Sequence, residues 1–287
     1  MERTVAQSQL KVKSATKLIR PGTLHRTLCY PAFMKYFHRY VAIGDSTSEG
    51  LEDPDGRGGY RGWANRLAER IAAQQGSLLY ANLAVRGRTT RQILDEQLAP
   101  ALAMHPDLAT VVAGTNDVLR SKFDVNVFQR DLEGMQTPLV DQGATVLTFT
   151  LPDLTPVMPL ARILGDRVVR INDAIREACA NSGALLFDLS SYAVACDPRF
   201  WADDRLHANA EGHTRIADGL AWTLGILHDA SWATPLPPAK AKPSRGDALR
   251  SDVVWVRNHL LPWVWRHMRG RSSGDGITAK RPALAPV

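Results

Sequence analysis

Tyr40-Val41-Ala42-Ile43-Gly44-Asp45-Ser46-Thr47-Ser48-Glu49-Gly50 begins as an apolar run rich in β-formers and breaks at once into Gly-Asp-Ser. A run this short and this apolar reads as a strand buried on both faces. Residues 78–83, 108–113, 145–150 and 185–188 repeat the pattern, with segments of helical period between them at 63–75, 89–98, 125–142 and 168–182, and a last one at 210–224. Leu67 and Ile71, and Val127, Phe128, Leu132 and Met135, show the three-to-four spacing of an amphipathic face. Strands regularly separated by helices predict βαβ units, hence an α/β fold with a central parallel sheet of about five strands and helices on both faces. Ligands of such sheets gather beyond the carboxyl ends of the strands, which puts Ser46 on the binding edge.

Chemistry can be read at four strand ends. A serine needs a base to act as a nucleophile at neutral pH, and the base needs a partner that fixes its tautomer. Asp203-Asp204-Arg205-Leu206-His207, after the last strand, offers both, because a step of three positions from Asp204 to His207 lets the carboxylate reach imidazole Nδ1 within one turn. Gly87, closing the turn that begins at Asn82, permits close backbone approach and can lend its N–H. Asn116, in Ala113-Gly114-Thr115-Asn116-Asp117 after the third strand, can offer a side-chain amide. Taken singly, each has a bland reading as a capping serine, a loop Asp/His pair, a turn glycine or a helix cap. Taken together, they supply a nucleophile, a base with its orienting acid, and two donors, in the order a catalytic pocket requires.

Gly44-Asp45-Ser46, Gly87, Gly114-Thr115-Asn116-Asp117 and Asp204-x-x-His207 resemble, in order, the four motif blocks of the SGNH hydrolases, also called GDSL esterases/lipases. The resemblance covers about residues 40–225. It implies a flavodoxin-like three-layer α/β/α domain and cofactor-independent ester hydrolysis through an acyl-enzyme. Ser46 would be the nucleophile, His207 the base and Asp204 its orienting acid, with Ser46 N–H, Gly87 N–H and the Asn116 amide as the oxyanion hole. Thr47 departs from the leucine of the family name at a position with no chemical role. The resemblance leaves the substrate open among simple esters, lysophospholipids, thioesters and acetylated sugars. A non-catalytic membrane- or nucleic-acid-associated protein on the same fold is the alternative from another class. The expected pocket lining is Leu119, Arg120, the 152–159 loop, Phe200 and Trp201.

The net charge of +6 averages unlike segments. Residues 1–40 carry 8 Lys/Arg and 1 acid, and residues 231–287 carry 10 and 3, whereas the body between them holds 17 basic and 25 acidic residues. An acidic body argues against a nucleic-acid groove. The 3 cysteines are odd in number and form no CxxC pair, which fits a reducing compartment. Without an apolar run of about 18 residues or a secretory signal in the first 40, the expected location is cytoplasmic. His207, His213 and Asp203 lie at a step that does not converge on one ion, so neither a metal nor a cofactor is expected. The glycine-rich run 56–62 has the wrong spacing for a phosphate cradle and reads as a loop.

The ends differ from the body. Residues 1–38 read as a mobile basic extension and 39–230 as the hydrolase domain. Residues 231–247, with their prolines, read as a linker. Residues 248–269 form an amphipathic helix with Leu249, Val253, Val256, Leu260 and Val264 in its stripe, and 270–287 form a disordered tail. The helix is expected to bury that stripe on the acidic body; the competing expectation is a weak membrane-surface contact through the same stripe and its arginines.

Overall fold

The computed structural model describes residues 35–120, 122–238, 244–269 and 271–287. Most of the expected N-terminal extension, residues 1–34, lies outside the described residues. Its last residues belong to the body. Phe37 is buried in the core, and the His38 and Arg39 amides donate to the Asp107 carboxylate at 2.7 and 2.9 Å.

Six strands make one sheet: β1 (Arg39–Gly44), β2 (Leu79–Asn82), β3 (Leu108–Val112), β4 (Thr145–Phe149), β5 (Leu185–Phe187) and β6 (Arg281–Pro286). Their order is β5-β4-β3-β1-β2-β6, parallel except for β6, which runs antiparallel to β2. The helices are α1 (Ser46–Glu49), α2 (Gly62–Gln75), α3 (Thr90–Ala103), α4 (Thr115–Val118), α5 (Val125–Asp141), α6 (Gly165–Ser182), α7 (Ala210–Thr223), α8 (Arg245–Trp255) and α9 (Leu261–Met268), the last two joined by a π turn, Val256–Leu260.

The sheet separates two cores. Val41 and Ile43 of β1 and Ala109 and Val111 of β3 face Ile93, Phe128, Leu132, Met135, Ile171 and Ile175 of α3, α5 and α6. The alternate residues Tyr40, Ala42, Leu108 and Val112 face Trp63, Leu67, Ile71, Ile216 and Leu220 of α2 and α7. Period-two alternation with both faces apolar therefore builds the three layers, and each fully buried large side chain contributes about 1.5–3 kcal/mol. Helix starts follow capping chemistry. Thr89 and Gln92 form a capping box at α3, and the Asn209 side-chain Oδ1 accepts from Glu211 and Gly212 N–H at the start of α7. Helix α3 runs on through Pro100 to Ala103, beyond the expected end at residue 98; Ala101 is buried in the core, and that packing offsets the intrahelical bond that Pro100 cannot donate.

Three expectations for the C-terminal third are corrected. The body extends past residue 230: Trp232 in the turn Ser231–Ala233 is buried against Phe187 and Tyr192, with ring centroids 5.2 and 4.8 Å away. The tail read as disordered supplies β6, with Tyr80 opposite Ala285 and Asn82 opposite Arg281, and Val287 N–H donating to Leu78 O at 3.1 Å. β2 would otherwise be an open edge, and an edge tolerates Pro282 and Pro286, which cannot donate to a ladder. The expected buried stripe of the C-terminal helix is not buried: Leu249 is 66% and Val253 61% exposed and Val256, Leu260 and Val264 are half-buried, while Trp255, outside the stripe, is 7% exposed and anchors the helix. Among the described residues no helix is long and apolar enough to cross a membrane.

Candidate active site

β1 lies between β2 and β3, where the chain reverses its direction of progress across the sheet, and this is the place where open parallel sheets bind ligands. Gly44 closes β1. A Cβ there would lie 2.6 Å from Val112 O, so only glycine fits. The buried Gln97 side chain bonds both backbone groups of Gly44, accepting from N–H at 2.8 Å and donating to C=O at 2.9 Å. Held in this way, the chain turns through Asp45, whose Oδ1 caps α1 by accepting Thr47 N–H at 3.0 Å, and presents Ser46 at the first position of α1.

The acid and base arrive on a hairpin-like loop. Trp201 bridges to Ala208, Ala202 N–H donates to His207 O at 2.9 Å, and Arg205 N–H to Ala202 O at 2.9 Å. Asp204 Oδ1 accepts the Leu206 and His207 amides at 3.0 Å each, which turns Oδ2 to His207 Nδ1 at 2.5 Å. His207 Nε2 stands 2.8 Å from Ser46 Oγ. Burial pushes the Asp204 carboxyl up, but its bonds to the His207 ring and to the two amides outweigh this and hold it below the usual carboxylate range. An ionised Asp204 accepts from Nδ1–H and leaves Nε2 with its lone pair toward the serine hydroxyl. The geometry can therefore move the hydroxyl proton to imidazole while the carboxylate stabilises the resulting imidazolium.

Gly87 has φ +74°, in the left-handed region that favours glycine, and among the described residues neither Ser46 N–H nor Gly87 N–H has an acceptor within the chain. Asn116 is differently engaged. Its amide donates both to Asp45 Oδ2 at 3.1 Å and to Arg88 O at 3.0 Å, so both hydrogens are taken in the resting arrangement. Burial raises the Asp45 carboxyl to about 6 against the bonds from Thr47 and the field of His207.

Beside His207 opens a cavity of about 90 Å³ walled mainly by aliphatic groups, among them Val118, Leu151, Leu154, Met158, Leu164 and Val168. Leu119, Trp201 and part of the 152–159 loop line it as expected, whereas Arg120 and Phe200 do not. Arg120 is exposed, with its carbonyl accepting from Arg167 at 2.6 Å. Phe200 faces a smaller cavity beneath the hairpin and lies under the Arg215 guanidinium at 4.5 Å. The start of α6 was not legible as lining because its apolar residues also serve the helix period.

Sequence reasoning missed the groups that join the turns. Buried Glu49, at the end of α1, accepts Arg86 N–H at 2.8 Å and pairs with the Arg86 guanidinium, tying the serine turn to the Gly87 turn. Asp117 accepts the Thr90 amide and hydroxyl at 3.0 and 2.8 Å, tying the Asn116 turn to α3. The run Gly270-Arg271-Ser272-Ser273-Gly274 has the letter spacing of a nucleophile elbow, but its described residues form a turn ahead of β6, not a strand-to-helix junction.

His213, weighed above as a ligand, is a core residue. Its Nδ1 accepts Trp63 N–H at 3.1 Å and its Nε2–H donates to Leu51 O at 2.9 Å, leaving no lone pair for an ion. Among the described residues no group of three or more His, Cys, Asp or Glu could hold a metal. Burial depresses the His213 imidazole to about 4. The unfolded chain therefore takes up a proton near 6.5 that the folded chain refuses until about 4; the stability from this site is complete above 6.5 and lost as pH falls through 4, a change on the order of 3 kcal/mol. Thermal melts should show His213→Leu starting lower at pH 7.5 but falling less steeply than wild type between pH 6.5 and 4. Equal slopes would show that His213 does not carry the acid sensitivity.

A mostly parallel sheet, with a serine past its central strand and an Asp-x-x-His loop closing on it, defines an SGNH-type α/β fold. The chain belongs to the GDSL-like lipase/acylhydrolase family, whose model matches residues 42–215, and is thus a hydrolase of that group. Solved structures agree on the fold. The enzyme LAE5 from the metagenome of Lake Arreo, Spain, is 21% identical, with a TM-score of 0.57 over 67% of this chain and 97% of its own. TesA is 21% identical, with a TM-score of 0.56 over 66% and 100%. A catalytic mutant of Axe2, an acetylxylan esterase from Geobacillus stearothermophilus, is 16% identical, with a TM-score of 0.55 over 67% and 97%. No curated protein matches the chain in sequence.

Proposed function

We propose that the protein is a serine esterase that cleaves carboxylic esters of apolar acyl groups, from small-molecule or lipid substrates, through an acyl-enzyme. The observation that carries this reading is the Ser46–His207–Asp204 alignment, with His207 and Thr47, the residue after the serine, in the wall of an aliphatic cavity. His207 Nε2 takes the Ser46 proton as Oγ attacks the acyl carbonyl, and the tetrahedral oxyanion meets Ser46 N–H and Gly87 N–H. Collapse breaks the ester C–O bond, and the alcohol leaves with the proton from His207. A water, deprotonated by His207, then attacks the acyl-enzyme and returns Ser46 and the free acid.

The cavity wall favours acyl chains over acetylated sugars, because sugar hydroxyls would be buried against Val118, Leu154 and Leu164 with few partners. p-Nitrophenyl esters of increasing chain length should show kcat/KM rising about fourfold per added methylene, the value of about 0.8 kcal/mol per buried CH₂, until the cavity is full, and falling thereafter. A preference for acetate, or for an acetylated xylooligosaccharide, sinks the apolar-acyl reading. Higher kcat/KM on acyl-CoA than on the matched oxygen ester would reassign the same site to thioesters.

A further inference from the structure

Residues 244–287 lie outside the stretch matched by the family model, yet they touch three of the four turns that carry candidate groups, all but that of Asn116. At the acid–base loop, Trp255 Nε1–H donates to the backbone carbonyl of Asp204 at 2.8 Å. The next residue, Arg205, has φ +60°, a left-handed conformation that costs a side-chain-bearing residue energy. Helix α8 holds it there: the Arg205 guanidinium donates to Asp252 Oδ1 at 2.6 Å and Ser251 Oγ at 2.9 Å and stands 5.4 Å from the Trp255 ring centroid. At the Gly87 turn, Ser272 Oγ donates to Gly87 O at 3.3 Å, and Gly274 packs so close that a Cβ would lie 2.0 Å from Arg86 O. At the serine turn, the half-buried Lys280 ammonium donates to Glu49 O, Tyr60 O and Arg61 O at 2.6, 2.9 and 2.9 Å, closing the carboxyl end of α1.

We infer that residues 244–287 form an intramolecular clamp on the reactive turns and that Trp255 is a positioning residue for the Asp204–His207 pair. The inference rests on the proposed esterase function. Its physical content is the peptide between Asp204 and Arg205. With that carbonyl fixed by the indole N–H, Arg205 stays left-handed, the Leu206 and His207 amides stay on Asp204 Oδ1, and Oδ2 stays against Nδ1. Without it, Arg205 relaxes toward ordinary backbone and swings the carboxylate off the imidazole. Trp255 does not line the cavity beside His207, so substrate binding is untouched.

The test uses the full chain and a p-nitrophenyl ester. Trp255→Phe leaves an aromatic ring in place of the indole and removes the N–H; kcat should fall about five- to tenfold, with KM and melting temperature close to wild type. Arg205→Gly supplies a residue at ease in the left-handed region, so in that background Trp255→Phe should cost less than half as much on a logarithmic scale. Should Trp255→Phe fold poorly, Asp252→Ala carries the test with an expected two- to fivefold fall in kcat. Unchanged kcat in the folded variants, or equal losses with and without Arg205→Gly, overturns the clamp. Fluorophosphonate labelling of the wild type separates the two levels. A chain not labelled at Ser46 fails as a serine esterase, whereas a labelled chain whose variants keep their kcat fails only the clamp.

Discussion

Ser46→Ala and His207→Ala should each lower kcat by about three or more orders of magnitude while circular dichroism and thermal melting remain close to those of the wild type. The size of the effect follows from the members acting as a unit: without Oγ there is no nucleophile, and without Nε2 the hydroxyl keeps its proton. The fold should survive, because Ser46 and His207 meet at the rim of the sheet and neither belongs to the two cores. The double variant should be no slower than the worse single one. Steady-state kinetics with active-site titration checks both points. Substantial turnover in either variant, correctly folded, removes the assignment.

Asn116→Ala should lower kcat by about 10²–10³, the scale for one oxyanion donor, with little change in KM. The resting geometry adds a condition. Both amide hydrogens are engaged, with Asp45 Oδ2 and Arg88 O, so one bond must be exchanged as the oxyanion forms. A bond to a carboxylate is the stronger of the two, which makes the Arg88 carbonyl the partner that is given up. If Asn116 serves only to bridge Asp45 and Arg88, the alanine variant will keep its kcat and lose melting temperature, since Asp45 is buried and would lose a donor. Kinetics and melting on the same preparation decide between the two roles.

The sequence alone determined the layered α/β architecture and the candidate reactive groups, because both are written in short-range pattern. Apolar runs of four to six residues alternating with helical period say strand and helix wherever they occur. Asp204 and His207 face each other three positions apart on one loop, a relation fixed by local chain geometry. That Ser46, 161 residues earlier, is their partner could be read only through the rule that parallel strands collect their ends on one edge.

Tertiary structure decided what local pattern cannot encode. Lys280 caps the turn of Glu49 across 231 residues, and nothing about a lysine in a proline-flanked tail signals three carbonyls waiting for it. The same tail lacks period because Pro282 and Pro286 break it, yet the free edge of β2 orders it by pairing, an energy that belongs to the partner strand as much as to the segment itself. The C-terminal helix shows the limit most clearly. Its i, i+4 apolar stripe predicted a buried face at Leu249 and Val253, but the contact was won by Trp255, whose indole found both an arginine to stack on and a carbonyl to bond. Periodicity measures which side of a helix is apolar; which side is buried depends on the surface it meets.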